Sequence, residues 1–236
     1  MSAQQPAPVA IAIVPARGSS KGLPLKNLLP LDGEPLLVHT LRAAQAAHSL
    51  SRVIVSTEDE RIAAVSEQYG AELVVRPVEL AADESPTEDA LIHVLETLRS
   101  RGEPLPDYVV TLEPTSPLRT PGLIDACVEL AVAERADAVL TVVETRSCLG
   151  RLEGSRFRYL QPGQSRRRQL REPLYEESST VYVTRTAHLL ATRSVLAEPL
   201  LAVVAPEEEA VDINTAFDLV VAEALMRARR ETPANL

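Results

Sequence analysis

The sequence predicts an α/β fold built on a mostly parallel sheet, and three observations carry that expectation. Short apolar runs of strand length alternate along the chain with amphipathic stretches of helix length, the pattern of successive βαβ units. Apolar residues make up 45% of the 236 positions while aromatics supply only 3% and Trp is absent, so the core must be made of Ala, Val, Leu and Ile, as in helix-covered sheets. The first run, 9–14, is apolar at consecutive positions, as suits a strand covered on both faces. The chain 1–236 reads as one domain, with residues 145–175 inserted as an arm.

The elements follow in order. Strand 9–14 stops at Pro15, which has no N–H for the ladder; a loop rich in Gly, Ser and positive charge then runs to Asn27. Residues 28–33 form a turn, and Pro35 opens a helix to about His48, at the first helical position that suits proline. Strand 52–57 precedes a helix at 58–69 that Gly70 stops. Strand 72–75 leads into the polar loop 76–83. Residues 86–100 repeat their apolar positions every three or four residues and form a helix. Strand 107–112 runs through 113–119 into a helix at 121–134, and 136–144 is the next strand. From 145 to 173 the pattern lapses: Gly150, Gly154 and Gly163 punctuate seven arginines between 146 and 168. That stretch reads either as a solvated basic hairpin or disordered loop, or as an arm packed on a second subunit. Strands 179–184 and 200–204 follow, then an amphipathic helix at 215–230 capped by Asn214 or Thr215. Ligands of parallel sheets lie beyond the carboxyl ends of the strands, so the loops 15–27 and 113–119 should face one cleft.

Composition excludes several function classes. A net charge of −9 argues against a nucleic-acid binder, which would carry a broad basic field. The N-terminus lacks a charged leader and run 9–14 is too short for a signal core or a membrane span, so a cytoplasmic protein without membrane attachment is expected. Cys127 and Cys148 are too few for a disulfide framework and have no ligand spacing. The four histidines show no metal spacing, and His39 and His93 read as packing or surface residues.

The loop 15–27 reads as a phosphate cradle. Gly18 and Gly22 let successive N–H groups turn toward one anion, and Arg17, Lys21 and Lys26 supply charge. Of the 24 basic residues only Lys21 and Lys26 are lysines; elsewhere the chain uses arginine. A compact ammonium fits a crowded phosphate site that a planar guanidinium does not. The spacing Arg17-Gly-Ser-Ser-Lys-Gly22 excludes both the P-loop and the dinucleotide fingerprint.

This segment resembles the opening signature P-A-R-G-G-S-K-G-x-P-x-K-N of the CMP-sialic acid synthetase (acylneuraminate cytidylyltransferase) family, with Ser19 at the second Gly. Ser56-Thr-Glu-Asp59, Arg76-Pro-x-Glu-Leu-Ala-x-Asp83, Pro114-Thr-Ser-Pro-Leu-Arg119, Arg167-Arg-Gln169 with Tyr175, and Val211-Asp-Ile-Asn-Thr215 extend the resemblance in order over nearly the whole chain. It implies a Rossmann-like fold of the nucleotide-diphospho-sugar transferase type and cytidylyl transfer from CTP to a small anionic sugar acid, with Mg²⁺, in a homodimer formed through the arm. By position it implies Arg17, Lys21 and Lys26 as catalytic residues; Ala16, Gly18, Ser20, Asn27, Arg76 and Thr87 on the nucleotide; Glu113, Thr115, Ser116, Arg167 and Tyr175 on the acceptor; and Asp212 with Asn214 on the metal.

Three departures from the family pattern stand out. Glu113 replaces the amide of Q-P-T-S-P-L-R, Tyr175-Glu-Glu-Ser-Ser-Thr-Val-Tyr182 replaces Y-x-x-N-G-A-x-Y, and Asn214 replaces the second acid of V-D-I-D. They leave open a phosphonate or sugar phosphate as acceptor, or a CTP-binding module without turnover. Asp212 alternatively serves as a helix cap.

Overall fold

The computed structural model describes residues 8–19 and 23–231. β1 (Ala10–Pro15) is followed by a small bridge of β2 (Pro30–Leu31) with β3 (Glu34–Pro35). Then come α1 (Leu36–Ala46), β4 (Leu50–Thr57), α2 (Glu60–Gln68), β5 (Glu72–Val75), α3 (Thr87–Ser100), β6 (Tyr108–Thr111), α4 (Pro121–Glu134) and β7 (Ala138–Thr145). The hairpin of β8 (Gly150–Glu153) and β9 (Arg156–Tyr159) precedes β10 (Leu174–Arg185), α5 (Thr186–Thr192), β11 (Leu201–Val204) and α6 (Ala216–Glu231). The main sheet is seven-stranded in the order β11-β7-β10-β6-β1-β4-β5. All its pairings are parallel except those of β10, which runs antiparallel between β6 and β7. The mostly parallel α/β architecture expected from the sequence is thus observed.

β1 shows why the sheet is covered on both faces. Successive side chains of a strand point to opposite sides: Ala10, Ala12 and Val14 join Leu37 and Leu41 of α1, Ile62 of α2 and Ile124 and Cys127 of α4. Ile11 and Ile13 face the other way, onto Leu91, Leu95 and Leu98 of α3 and Leu189 of α5. Leu91 and Leu95 are fully buried, so truncating either to Ala would cost about 2–5 kcal/mol. A third cluster, Leu31, Leu36, Leu118, Ile213 and Ala222, fastens α6 and the 211–214 segment to the edge where the parallel strands end.

Several boundaries differ from the sequence expectation for local reasons. Pro35 is the cap of α1, not its first residue. Asp59 caps α2 by accepting from the N–H groups of Arg61 (2.9 Å) and Ile62 (3.3 Å), so the helix begins at Glu60. Thr215 caps α6: its hydroxyl accepts from Asp218 N at 3.3 Å while Asp218 Oδ2 accepts from Thr215 N at 2.7 Å, a reciprocal capping box. β10 begins five residues before the expected 179 because its first half pairs with the end of β7, with a register break between Ser178 and Tyr182. α5 was not anticipated.

The segment 146–173 is exposed and carries the β8–β9 hairpin. Its base is locked by two arginines that bind each other's carbonyl oxygens, Arg146 Nη1 to Arg171 O at 2.5 Å and Arg171 Nη1 to Arg146 O at 2.8 Å.

Candidate active site

The parallel strands deliver their following loops to one edge of the sheet, and side chains tie these loops together. Glu58, just past β4, accepts through Oε1 from Gly18 N at 2.7 Å and through Oε2 from Arg76 Nε and Nη2 at 3.0 and 2.9 Å. Arg76, just past β5, is 5% exposed. Gly18 sits so close to the start of α2 that a Cβ would lie 2.4 Å from Asp59 Oδ2 and 2.8 Å from Asp59 Cβ, so this position has no room for a side chain. Ala16 donates its N–H to Ser56 O at 2.9 Å, and Asn27 Nδ2 donates to Arg17 O at 2.9 Å, closing the loop on itself. Arg17 pairs with Asp83 at 2.7 Å across the mouth.

These loops wall a cleft of about 300 Å³ lined by Arg17, Lys26, Asn27, Arg76, Thr87, Glu113 and Thr115, among others. The loops after β1 and β6 do face one cleft. Ser20 and Lys21 lie outside the described residues. Arg167 and Tyr175 stand apart from the lining, both exposed on the arm and its return strand.

Lys26 occupies the boundary between two halves of the site. Leu25, immediately before it, holds a left-handed backbone (φ 52°) uncommon for a branched residue. The Lys26 ammonium donates to Ile213 O at 2.8 Å and to Asn214 Oδ1 at 3.1 Å. Asn214 Nδ2 in turn donates to Asp212 Oδ2 at 2.6 Å. The segment is pinned by the bond from Ile213 N to Thr115 O at 2.8 Å. Asp212 Oδ1 is buried and has no hydrogen-bond partner among the described residues, an orphaned acceptor of the kind a cation satisfies. Asn214, by contrast, has its oxygen on Lys26 and its nitrogen on Asp212, so it serves as a bridge between them. Among the described residues no three His, Cys, Asp or Glu side chains cluster as a metal cage.

Electrostatics at this boundary are dominated by burial. Burial pushes the Glu113 carboxyl above its ordinary range and Asp212 adds to the rise, against the attraction of Arg119 and Lys26. Burial lowers the Lys26 ammonium, opposed by Asp212 and Glu113. Arg119, 3% exposed, is pushed down to about 9 by burial, with Glu113 and Asp212 opposing. Its Nη2 donates to Glu113 O at 2.5 Å and its Nη1 to Thr40 Oγ1 at 2.9 Å, so it supports the loop backbone beneath the cleft. Ser116 Oγ lies 3.4 Å from Ser179 Oγ, bringing the loop after β6 against the middle of β10.

A family model described as Cytidylyltransferase matches residues 11–198. The chain belongs to the cytidylyltransferase family. Among curated relatives it is 29% identical over 227 residues to the CMP-N,N'-diacetyllegionaminic acid synthase of Legionella pneumophila, covering 94% of this chain and 97% of that protein. It is also 29% identical over 235 residues to the N-acylneuraminate cytidylyltransferase of Escherichia coli, covering 96% of this chain but 54% of that longer protein. Among solved structures, CMP:2-keto-3-deoxy-manno-octonic acid synthetase complexed with CTP matches with a TM-score of 0.69 at 18% identity, covering 94% of this chain and 99% of that one. The 4-diphosphocytidyl-2C-methyl-D-erythritol synthase of Anaerococcus prevotii matches with a TM-score of 0.67 at 14% identity, covering 94% and 100%. These two likenesses show the fold.

In this cytidylyltransferase the motifs around Arg17, Glu58, Arg76 and Glu113 thus fall on the loops at the carboxyl ends of β1, β4, β5 and β6, while Arg167 and Tyr175 do not. Glu58 belongs to the Ser56-Thr-Glu-Asp59 motif, but the sequence assigns it no role, since an acid at a helix start is already accounted for by the helix dipole. No local sequence signal marks the contact: Glu58 and Arg76 become neighbours because Thr57 pairs with Val75 in the β4–β5 register.

Proposed function

We propose that this chain transfers a cytidylyl group from CTP to a sugar acid of the sialic or nonulosonic type, releasing pyrophosphate. The observation that carries the reading is the position of Lys26. It lies between the half of the cleft lined by Arg17, Asn27, Arg76 and Thr87 and the half lined by Glu113 and Thr115, where it is anchored to Ile213 and Asn214. That is where an α-phosphorus must sit if the nucleotide fills one half and the acceptor the other. The acceptor hydroxyl attacks in line as pyrophosphate leaves, so the chain's task is positioning and offset of charge. Arg17 and Lys26 supply that charge together with Lys21; Arg76 and Thr87 address the base, and Asn27 the ribose. Mg²⁺ would be held by Asp212, whose buried Oδ1 has no hydrogen-bond partner among the described residues, since a hard cation takes carboxylate oxygen. It would supply charge neutralisation on the leaving pyrophosphate.

The half-buried Glu113 carboxyl on the cleft wall disfavours a dianionic acceptor group beside it, which ranks a sugar acid above a phosphonate or sugar phosphate. The arm exposes Leu152, Phe157, Tyr159, Leu160 and Leu170, a concentration of apolar surface that suits burial against a second copy. A homodimer acting in the cytoplasm is the assembly proposed, with Arg167 and Tyr175 addressing the acceptor from the arm. The test is pyrophosphate release with Mg²⁺, each of the four nucleoside triphosphates, and a panel of sugar acids, phosphonates and sugar phosphates. Release with CTP and a sugar acid only is expected; turnover of phosphonates alone, or CTP binding without release for any acceptor, overturns the reading. Sedimentation of wild type against Phe157→Glu tests the dimer.

A further inference from the structure

We propose that Glu58 is a positioning residue for nucleotide recognition: its carboxylate fastens the phosphate loop and Arg76 into one preformed unit. The inference rests on the CTP reading above and adds a residue and a coupling to it. One oxygen of Glu58 takes the Gly18 N–H at 2.7 Å and the other takes two guanidinium nitrogens of Arg76 at 3.0 and 2.9 Å. The Arg76 and Glu58 side chains are 4% and 14% exposed. Gly18, Glu58 and Arg76 follow β1, β4 and β5, consecutive strands of the sheet.

Two consequences follow from that geometry. The Gly18 N–H points at protein, not at the cleft, so phosphate contacts fall to the groups after it and to Arg17 and Lys26. Arg76 has Nε and Nη2 committed to Glu58, which fixes the plane of its guanidinium and leaves Nη1 as the nitrogen not engaged by that carboxylate. Fixing a donor in the free protein removes the ordering cost at binding and sharpens discrimination between bases. A half-satisfied network does neither, because Gln in place of Glu offers one acceptor oxygen where two are used.

Affinities of CTP, UTP and inorganic triphosphate for wild type, Glu58→Gln and Glu58→Asp, measured by calorimetry well below the melting temperature, test the proposal. Glu58→Gln should weaken CTP by about 20–100-fold and shrink the CTP-to-UTP preference at least about fivefold, since both donors lose a buried charged acceptor. CTP affinity and preference both within about twofold of wild type, whatever the melting temperature, would overturn it, as a merely structural bond predicts. Tighter CTP binding would also overturn it, by showing that the carboxylate competes with phosphate. Wild type that binds no CTP sinks the nucleotide reading itself, and this inference with it. A measurement needing no variant is hydrogen exchange at the Gly18 amide. Protection with and without CTP is expected; exchange as free as that of Ser19 in either state overturns the proposal.

Discussion

Lys26 reaches Asp212 only through Asn214: the ammonium donates to Asn214 Oδ1 at 3.1 Å and the amide nitrogen donates to Asp212 Oδ2 at 2.6 Å. A neutral side chain therefore separates the cation from the carboxylate. Asn214→Asp would place a charge in the middle of that chain. Half-saturating Mg²⁺ in pyrophosphate release should fall about 5–10-fold, because hard cations favour charged oxygen ligands. A Mg²⁺ titration of the two proteins checks it, and an unchanged midpoint would mean that residue 214 lies outside the metal's reach.

Lys26→Arg should keep the fold and lose activity about 10²–10³-fold, the range for removing one preorganised donor from a developing oxyanion. The ammonium fits between Ile213 O and Asn214 Oδ1, where a planar guanidinium is too wide. Arg99→Lys, on the exposed side of α3, serves as the control and should leave kcat/KM unchanged. Equal activity in both variants contradicts the role given to Lys26.

Asp125 on α4 accepts from Ser49 N at 2.9 Å and Ser49 Oγ at 2.6 Å, tying the end of α1 to α4. Burial alone would raise its carboxyl, but the bonds from Ser49 and from the His48 backbone hold it below the ordinary aspartate value of 3.8. A depressed acid stabilises the fold above its unfolded value and loses that contribution as pH falls through the lower, folded one. Asp125→Asn should cost about 1–2 kcal/mol near pH 7. Urea titrations should show the gap from wild type closing below pH 3.8. A gap constant down to the acid transition refutes the assignment.

The two cysteines should separate cleanly toward a thiol reagent at pH 8. Cys127 is buried in the core, with its thiol pushed up to about 12 by burial, and reactivity follows the thiolate fraction. One thiol, Cys148, should react in the native protein and both in urea. Rapid native labelling of Cys127 would mean that the α4 face opens.

What was legible in the sequence is what period and spacing encode. β1 announced itself because every position from Ala10 to Val14 is buried, and the loop after it because glycine and the two lysines concentrate there. The first half of β10 was invisible: Tyr175, Glu176 and Glu177 are exposed and polar, held by backbone pairing to β7 and by no apolar alternation. α5 buries only Thr186 and Leu189 over seven residues, too few to set a period. The Glu58 contacts depend on which strands lie side by side, information that no local window contains.

The antiparallel insertion of β10 also orders the assembly of the protein on the ribosome. β6, β1, β4 and β5 are complete by Thr111 and can pair as soon as they emerge, since chains fold from the N-terminus during synthesis. β7 cannot join them until residues 174–185 have appeared, because β10 lies between β7 and β6. The strands that carry Gly18, Glu58 and Arg76 are therefore synthesised before the strand that joins β7 to them. Lys26 gains its anchors at Ile213 and Asn214 last, so a chain ending before residue 213 lacks both bonds to its ammonium.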